Sequence, residues 1–416
     1  MLSEETLERI TEALAKRIDE GNEYIIKEIA KTIKKIGELT PTQAMQMVQI
    51  LKYGGDYEKM VRRLAQLTKK TQKEIKKVLE TEAKKDYYFS KEFYEYRDMK
   101  FIPWEQNTRL QNEVNAITNV ITKDIGNLTS KNILGLGVVN NKTGEITYKK
   151  LKQAYYDIID NCVINITQGK QTYDALMYKQ IKELGTGGLQ VIYPTTFIDK
   201  NGIERHHTRR LDSALRMNIM DSIRTLHNET QEELGKQFDA DGVEITVHEN
   251  PAPDHAEVQG RQFSKKEYDK FQNHETAVTY SGQVIDHIHD GRERRPISQL
   301  NCYHNARTII LGVTKPQYTD EELQKKLDKN EAGFTYEGKH YTMYQGTQIQ
   351  RRIETEIRKQ KEFQMSAVES GNEQGIIKAQ TRITKLNKKY KALCEASGLK
   401  PKTNRMRVPG YKRTKV

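Results

Sequence analysis

The chain has 416 residues, 36% of them hydrophobic and 30% charged, with a formal net charge of +12. That length exceeds one ordinary domain, so two or three units are expected, and the charge content favours long solvated helices over one compact globule. No run approaches the roughly eighteen apolar residues of a bilayer span, MLSEETLERI lacks the basic and apolar regions of a secretory signal, and three separated cysteines, Cys162, Cys302 and Cys394, fit a reducing compartment rather than a disulfide framework.

Residues 1–95 read as an N-terminal helical docking region. Ser3 ahead of Glu4 and Glu5 makes a helix start, and Leu7, Ile10, Leu14 and Ile18 recur at helical spacing. In TPTQAMQMVQILKYGG, Thr40 caps, Pro41 suits the first helical position, Gln43 closes a capping box, and Gly54 and Gly55 end the helix. A further start is expected at TQKE, where Thr71 and Glu74 form a second box ahead of Ile75, Val78, Leu79 and Ala83. The aromatic segment 87–106 reads as a hinge packed on this bundle rather than as a platform for bases.

Residues 96–239 read as a central helical region. Gly135 and Gly137 do not make a dinucleotide loop, because Asn140 stands where the third glycine belongs. Asn140, Asn141 and Gly144 mark turns, and two amphipathic helices follow up to the glycines at 185–188. TRRLDSALRMNIMDSIRTLHNETQEELGKQF then makes a long helix with Leu211, Leu215, Ile219, Ile223 and Leu226 on its apolar face. Arg210, Arg216 and Arg224 read as a solvated stripe opposite.

From 240 to 315 the period changes to two, first at Val243, Ile245 and Val247 and again in 276–286 and 302–312. This is the only segment with clear strand signals, a small α+β domain in a chain that is otherwise mainly α. Residues 316–416 return to helix as a pair broken at Ser370, Gly371 and Asn372, ending in an extended basic tail. The charge is concentrated there. From Ile376 to Val416, Lys378, Arg382, Lys385, Lys388, Lys389, Lys391, Lys400, Lys402, Arg405, Arg407, Lys412, Arg413 and Lys415 face a single acid, Glu395, so these residues hold the whole excess. Such a block is suited to polyanions, since each neutralised phosphate releases condensed counterions.

The stretch HENPAPDHAEVQGRQFS (248–264) admits three chemistries. His248, His255, Cys302 and His304 are ligand types that zinc takes, although no C-x-x-C or H-E-x-x-H spacing is present. His255, or His287 and His289, with Asp254, Asp286 or Asp290 as partner, could serve hydrolysis, and the arginines of HIHDGRERRP could hold a phosphate. In the third, Pro251 and Pro253 stiffen the chain, Asp254 caps a turn beginning at His255, and Gln259 and Gly260 end it, with Cys302 a small buried side chain. The rigid turn is the reading adopted, with no catalytic residue and no cofactor assigned; zinc is the ion the ligand types would select.

The order of AYYDIIDNCVINITQGKQTYDALMYKQIKELGTGGLQVI, RRLDSALRMNIMDSI, EITVHENPAPDHAEVQGRQFS and NCYHNARTIILG resembles the phage minor capsid protein 2 family, itself similar to Mu-type head-morphogenesis proteins. Gly169, Tyr173, Arg210, Asp212, Arg216, His248, Pro253, His255, Gln259, Gly260, Asn301, Cys302 and His304 carry the likeness. The chain departs from the family pattern with Ala252 for an arginine, Val258 for a tryptophan and Ser298 for the first of two cysteines. The resemblance implies a structural minor head protein made in the host cytoplasm and housed in the virion, in the capsid interior at the portal vertex. Implied partners are the portal protein, the major capsid or scaffolding protein, and packaged double-stranded DNA met through the basic C-terminus. The alternative expectation is a metal-dependent nuclease or hydrolase packaged in the virion and injected with the genome.

Overall fold

The computed structural model describes residues 4–200, 202–299 and 302–414, so Ser3, Asn301 and Lys415 lie outside the described residues. Five helices open the chain: α1 (Glu4–Gly37), α2 (Pro41–Tyr53), α3 (Asp56–Phe89), α4 (Lys91–Tyr96) and α5 (Thr108–Leu128). The Thr40–Gln43 capping box forms, and Gly54 takes the C-cap of α2. The expected start at Thr71 is overturned, because α3 runs unbroken for 34 residues. Tyr57, Met60, Leu64 and Leu67 extend the same buried stripe upstream, and the buried Thr71 hydroxyl donates back to the Leu67 carbonyl at 3.0 Å. The aromatic stretch packs on itself and on the end of the long helix that follows: Tyr87 stacks on Phe101 at 4.8 Å, and Phe93 stacks on Phe238 at 5.0 Å.

The central region contains a sheet as well as helices. In chain order come β1 (Leu134–Val139), β2 (Ile146–Lys150), α6 (Leu151–Thr167), α7 (Lys170–Gly187), β3 (Gln190–Ile198), β4 (Glu204–Arg210) and α8 (Leu211–Gln237). The strands pair antiparallel in the order β2-β1-β3-β4, which corrects the expectation that strands lie only in 240–315. All six residues of β1 are buried, so the strand shows no alternation by which to recognise it. A Cβ at Gly137 would stand 2.5 Å from the Glu183 carboxylate of α7, which accounts for glycine at that strand position.

The α+β unit follows with β5 (Gly242–Ile245), α9 (Pro253–Ala256), β6 (Gln262–Ser264), α10 (Lys265–Gln272), β7 (Ala277–Val278), β8 (Val284–Ile285), β9 (Ile288–His289), β10 (Arg292–Glu293) and β11 (Ala306–Ile309). Strand β5 lies between β6 and β11, and the short strands form two hairpins, β7 with β8 and β9 with β10. The chain closes with α11 (Asp320–Ala332), β12 (Phe334–Tyr336), β13 (Lys339–Tyr341), α12 (Met343–Ser370) and α13 (Glu373–Ser397). Gly371 ends α12 in the left-handed region at φ 69°, and Asn372 caps α13 by accepting from the Gly375 amide at 2.8 Å.

The segment after α13 does not extend into solvent. Met406 and Val408 are buried, Lys402 reaches Glu8 of α1 at 2.8 Å, and Arg405 pairs with the same carboxylate. One apolar core runs from Leu7 in α1 to Ala379 in α13 and takes in α1–α8, β1 and α12. Two smaller cores lie under the α+β unit and between α12, α13 and β12.

Arg210, Arg216 and Arg224 are likewise not a solvated stripe, and the helix expected from Thr208 begins only at Leu211, because 204–210 pair with β3 as strand β4. Arg210 takes both Glu362 oxygens at 2.9 Å and Asp212 at 3.0 Å. Arg216 binds Glu12 at 2.9 and 3.1 Å and Asp19 at 2.8 Å. Arg358 reaches Asp212 at 3.4 Å, and Arg224, almost fully buried, lies 4.8 Å over the Tyr303 ring. The stripe is covered because α1 and α12 bring carboxylates to it. Against the effect of burial, Arg210, Arg358 and Arg216 hold Asp212 well below the usual carboxylate range. Burial pushes Glu362 up, and Glu23, buried beside Glu362 and Asp19, is pushed up to about 9.

A folded pKa of about 9 against 4.5 for the free side chain means that the native chain keeps a proton which the unfolded chain loses between those values. Stability therefore falls as pH rises across that window. In thermal unfolding followed over the same range, Glu23→Gln is expected to lose less of its midpoint than the parent; parallel losses would exclude Glu23 as the source.

Candidate functional site

The site is built on β5 and the loop that leaves it. The Ile245 carbonyl accepts from the Gly260 amide at 2.9 Å, so residues 246–259 form a loop whose two ends are tied together. Gly260 has φ 73°, and a Cβ there would stand 2.5 Å from Leu323 of α11, so glycine is required for both reasons. Pro251 is buried, and Pro253 takes the first position of α9.

Asp254 does not cap the turn, which corrects that expectation. Ala252 stands at the cap position, and Arg295 draws the Asp254 carboxylate away in a two-pronged pair at 2.7 and 2.8 Å. Burial would raise Asp254, but this pairing and His255 bring it down to about 2. Arg294 donates to the Asp254 carbonyl at 2.7 Å and pairs with Glu257 at 2.6 Å. Of the three arginines considered for a phosphate, Arg294 and Arg295 are thus engaged in bracing α9 against the β9–β10 hairpin, and Arg292 is exposed in β10.

His255, Cys302 and His304 are all buried and converge. The Cys302 Sγ lies 3.2 Å from His255 Nδ1 and 3.5 Å from His304 Nδ1. His255 Nε2 sits 2.6 Å from the Arg295 carbonyl, which can only accept, so that nitrogen carries the proton. Gln259 Oε1 accepts from the His248 amide at 2.9 Å, which orients the side-chain amide, and His304 Nε2 donates to the same oxygen at 3.2 Å. Both imidazoles therefore turn an Nδ1 lone pair towards the sulfur. Burial lowers His255 and takes His304, with His248 and His255 beside it, well below its usual value, while burial raises the Cys302 thiol.

His248 stands beside this cluster rather than in it. Its Nε2 donates to the Tyr303 carbonyl at 2.6 Å, and its ring meets His304 edge-on at 4.6 Å. His287 and His289 lie on the exposed β9–β10 side, His287 3.1 Å from Asp286 and His289 3.6 Å from Asp290, apart from the buried cluster. The grouping of His255 with Cys302, 47 residues away, was open to sequence reasoning only through the ligand types of the side chains.

The basic residues divide into two groups. Lys378, Arg382, Lys385, Lys388, Lys389 and Lys391 lie on the exposed face of α13, opposite buried Ala379, Ile383, Leu386, Tyr390 and Leu393. Lys378, Arg382, Lys385 and Lys389 fall at i, i+4, i+7 and i+11, one stripe about 16 Å long. Lys400, Arg407, Lys412 and Arg413 are also exposed, whereas Lys402 and Arg405 are engaged with Glu8. At the start of α13 a groove of about 530 Å³ adds Lys182 from α7 and Lys359 from α12 to Lys378 and Arg382, with Glu183 and Glu356 also in its wall. Sequence reasoning missed Lys182 and Lys359 because α7, distant along the chain, packs against the α12–α13 pair and brings these cations together.

The family described as phage minor capsid protein 2 matches the chain over residues 2–395. No curated protein and no solved structure matches it. Among the described residues no helix is long and apolar enough to cross a membrane.

Gln259 is the shared acceptor for the part-buried His248 amide and the buried His304 Nε2, so Gln259→Leu leaves both donors without it. The expected loss in urea unfolding is about 2 kcal/mol or more; a change within a few tenths would remove Gln259 from this role.

Proposed function

The chain belongs to the phage minor capsid protein 2 family and is a structural protein of the phage head; from that premise we propose that it lies in the capsid interior at the portal vertex and contacts packaged double-stranded DNA without reading its sequence. The observation that carries the proposal is the cationic face of α13, whose lysines and arginine point to solvent in one row while the opposite face is buried. A row of cations on a rigid helix complements a phosphate backbone and gains from counterion release, and contacts to phosphate carry no sequence information. The groove at the start of α13 extends the same cationic surface to α7 and α12.

In this proposal the contact with the portal protein falls on α2. Met45, Ile50 and Tyr53 leave 59%, 62% and 85% of their surface exposed there, an apolar grouping of the kind that protein partners cover. The major capsid or scaffolding protein would meet the remaining outer surface during assembly.

Two experiments separate these parts. In a filter-binding salt titration with double-stranded DNA, joint replacement of Lys378, Arg382, Lys385 and Lys389 by glutamine is expected to flatten the slope of log K on log salt by roughly three to four, about 0.9 per phosphate contact. Unchanged affinity, or binding that ignores salt, would overturn the DNA contact. Cross-linking mass spectrometry of assembled heads should join Lys52, at the end of α2, to the portal protein; links from α2 to the capsid shell alone would move the protein away from the vertex.

A further inference from the structure

The cluster in the α+β unit has too few protons for its lone pairs. His255 and His304 each carry their proton on Nε2, where the Arg295 carbonyl and Gln259 Oε1 accept it. Both Nδ1 atoms then face Cys302 Sγ with a lone pair, at 3.2 and 3.5 Å. A thiol has one hydrogen and satisfies only one of them; the backbone amide of His304 already points at the same sulfur from 3.4 Å. The remaining lone pair is left against sulfur inside a site with all three residues buried.

The spacing has a physical reading. In a tetrahedral zinc site, bonds of about 2.3 Å to sulfur and about 2.0 Å to nitrogen place neighbouring ligand atoms roughly 3.5 Å apart. The two sulfur–nitrogen distances here are 3.2 and 3.5 Å, and the three ligand atoms lie within 4.8 Å of one another. The protons on both Nε2 atoms are held by carbonyl oxygens, the arrangement that orients histidines around a metal.

We propose that Cys302 Sγ, His255 Nδ1 and His304 Nδ1 bind a thiophilic divalent cation, zinc being the ion that fits, and that the ion ties α9 to the 302–304 loop. On binding, Cys302 releases its thiol proton to solvent, both imidazoles stay neutral, and a small ligand such as water fills the fourth position. The consequence for the fold lies in Tyr303, which sits between two of the ligands. Its ring lies between Arg224 of α8 at 4.8 Å and Arg351 of α12 at 5.0 Å. By holding Cys302 and His304, the ion seats the side chain that joins the α+β unit to the helical body.

The test uses the full chain, purified without added chelator. Elemental analysis is expected to find about one zinc per chain. After stripping and refilling with cobalt, the parent should show a sulfur-to-cobalt charge-transfer band in the near ultraviolet and a higher thermal midpoint than the stripped protein. Cys302→Ser should lose the band and His304→Ala most of the metal, while His287→Ala, on the exposed hairpin, should keep both. A cobalt-refilled parent with no charge-transfer band and no rise in midpoint would overturn the proposal even if neither variant folds. Metal retained equally in Cys302→Ser and His304→Ala would also overturn it, because the ion would then sit elsewhere.

Discussion

The helical body depends on a set of buried charges, three arginines and four carboxyl groups, that hold one another in place. Arg210, Arg216 and Arg358 meet Glu12, Asp19, Asp212 and Glu362 with their side chains mostly withdrawn from solvent. Each such charge loses several kcal/mol of hydration, and only partners in good geometry offset that loss. The partners come from α1, α8 and α12, elements separated by up to some 350 residues along the chain. The network cannot exist in any one of them alone, so it specifies how the three helices pack more than it adds to their stability.

The same arrangement joins the two ends of the described chain. Arg358 donates to the Arg405 carbonyl at 2.5 Å, and Arg405 and Lys402 meet Glu8 in α1. The basic segment is therefore anchored along part of its length. Lys402 and Arg405 are neutralised by Glu8, Lys389 and Lys391 meet Glu337 and Glu395 in exposed pairs, and the cations of α13 are presented from a fixed helix. A phosphate backbone meeting such a face does not have to order a flexible arm, which lowers the entropic cost of contact.

The α+β unit is held by a different logic, hydrogen bonds converging on a few shared groups. Gln259 serves two donors, Asp254 and Glu257 anchor Arg295 and Arg294, and the Ile245 carbonyl holds Gly260. Gln259 and Gly260, together with Arg210, Asp212 and Arg216 of the charge network, are among the residues on which the family resemblance rests. Their roles are to position chain segments, which agrees with a protein whose work is structural.

Much of the helical fold was legible because its signals are local. The Thr40–Gln43 box, the Gly371–Asn372 break and the apolar face of α8 depend on contacts within a turn or two of chain. Strand β1 is not legible, since burial on both faces erases alternation, and nothing local marks Arg210 and Arg216 as buried, because carboxylates that cover them lie elsewhere in the sequence. By itself the sequence determined the mainly helical class and the location of the positive charge, properties that composition and short spacing carry, while the order of its longer segments carried the resemblance to the family. Tertiary structure alone decided that His255 joins Cys302 and His304 while His248 turns aside, and that Arg405 faces Glu8 instead of solvent. Burial makes those choices, because a polar group taken from water must find its partner wherever in the chain the packing has placed one.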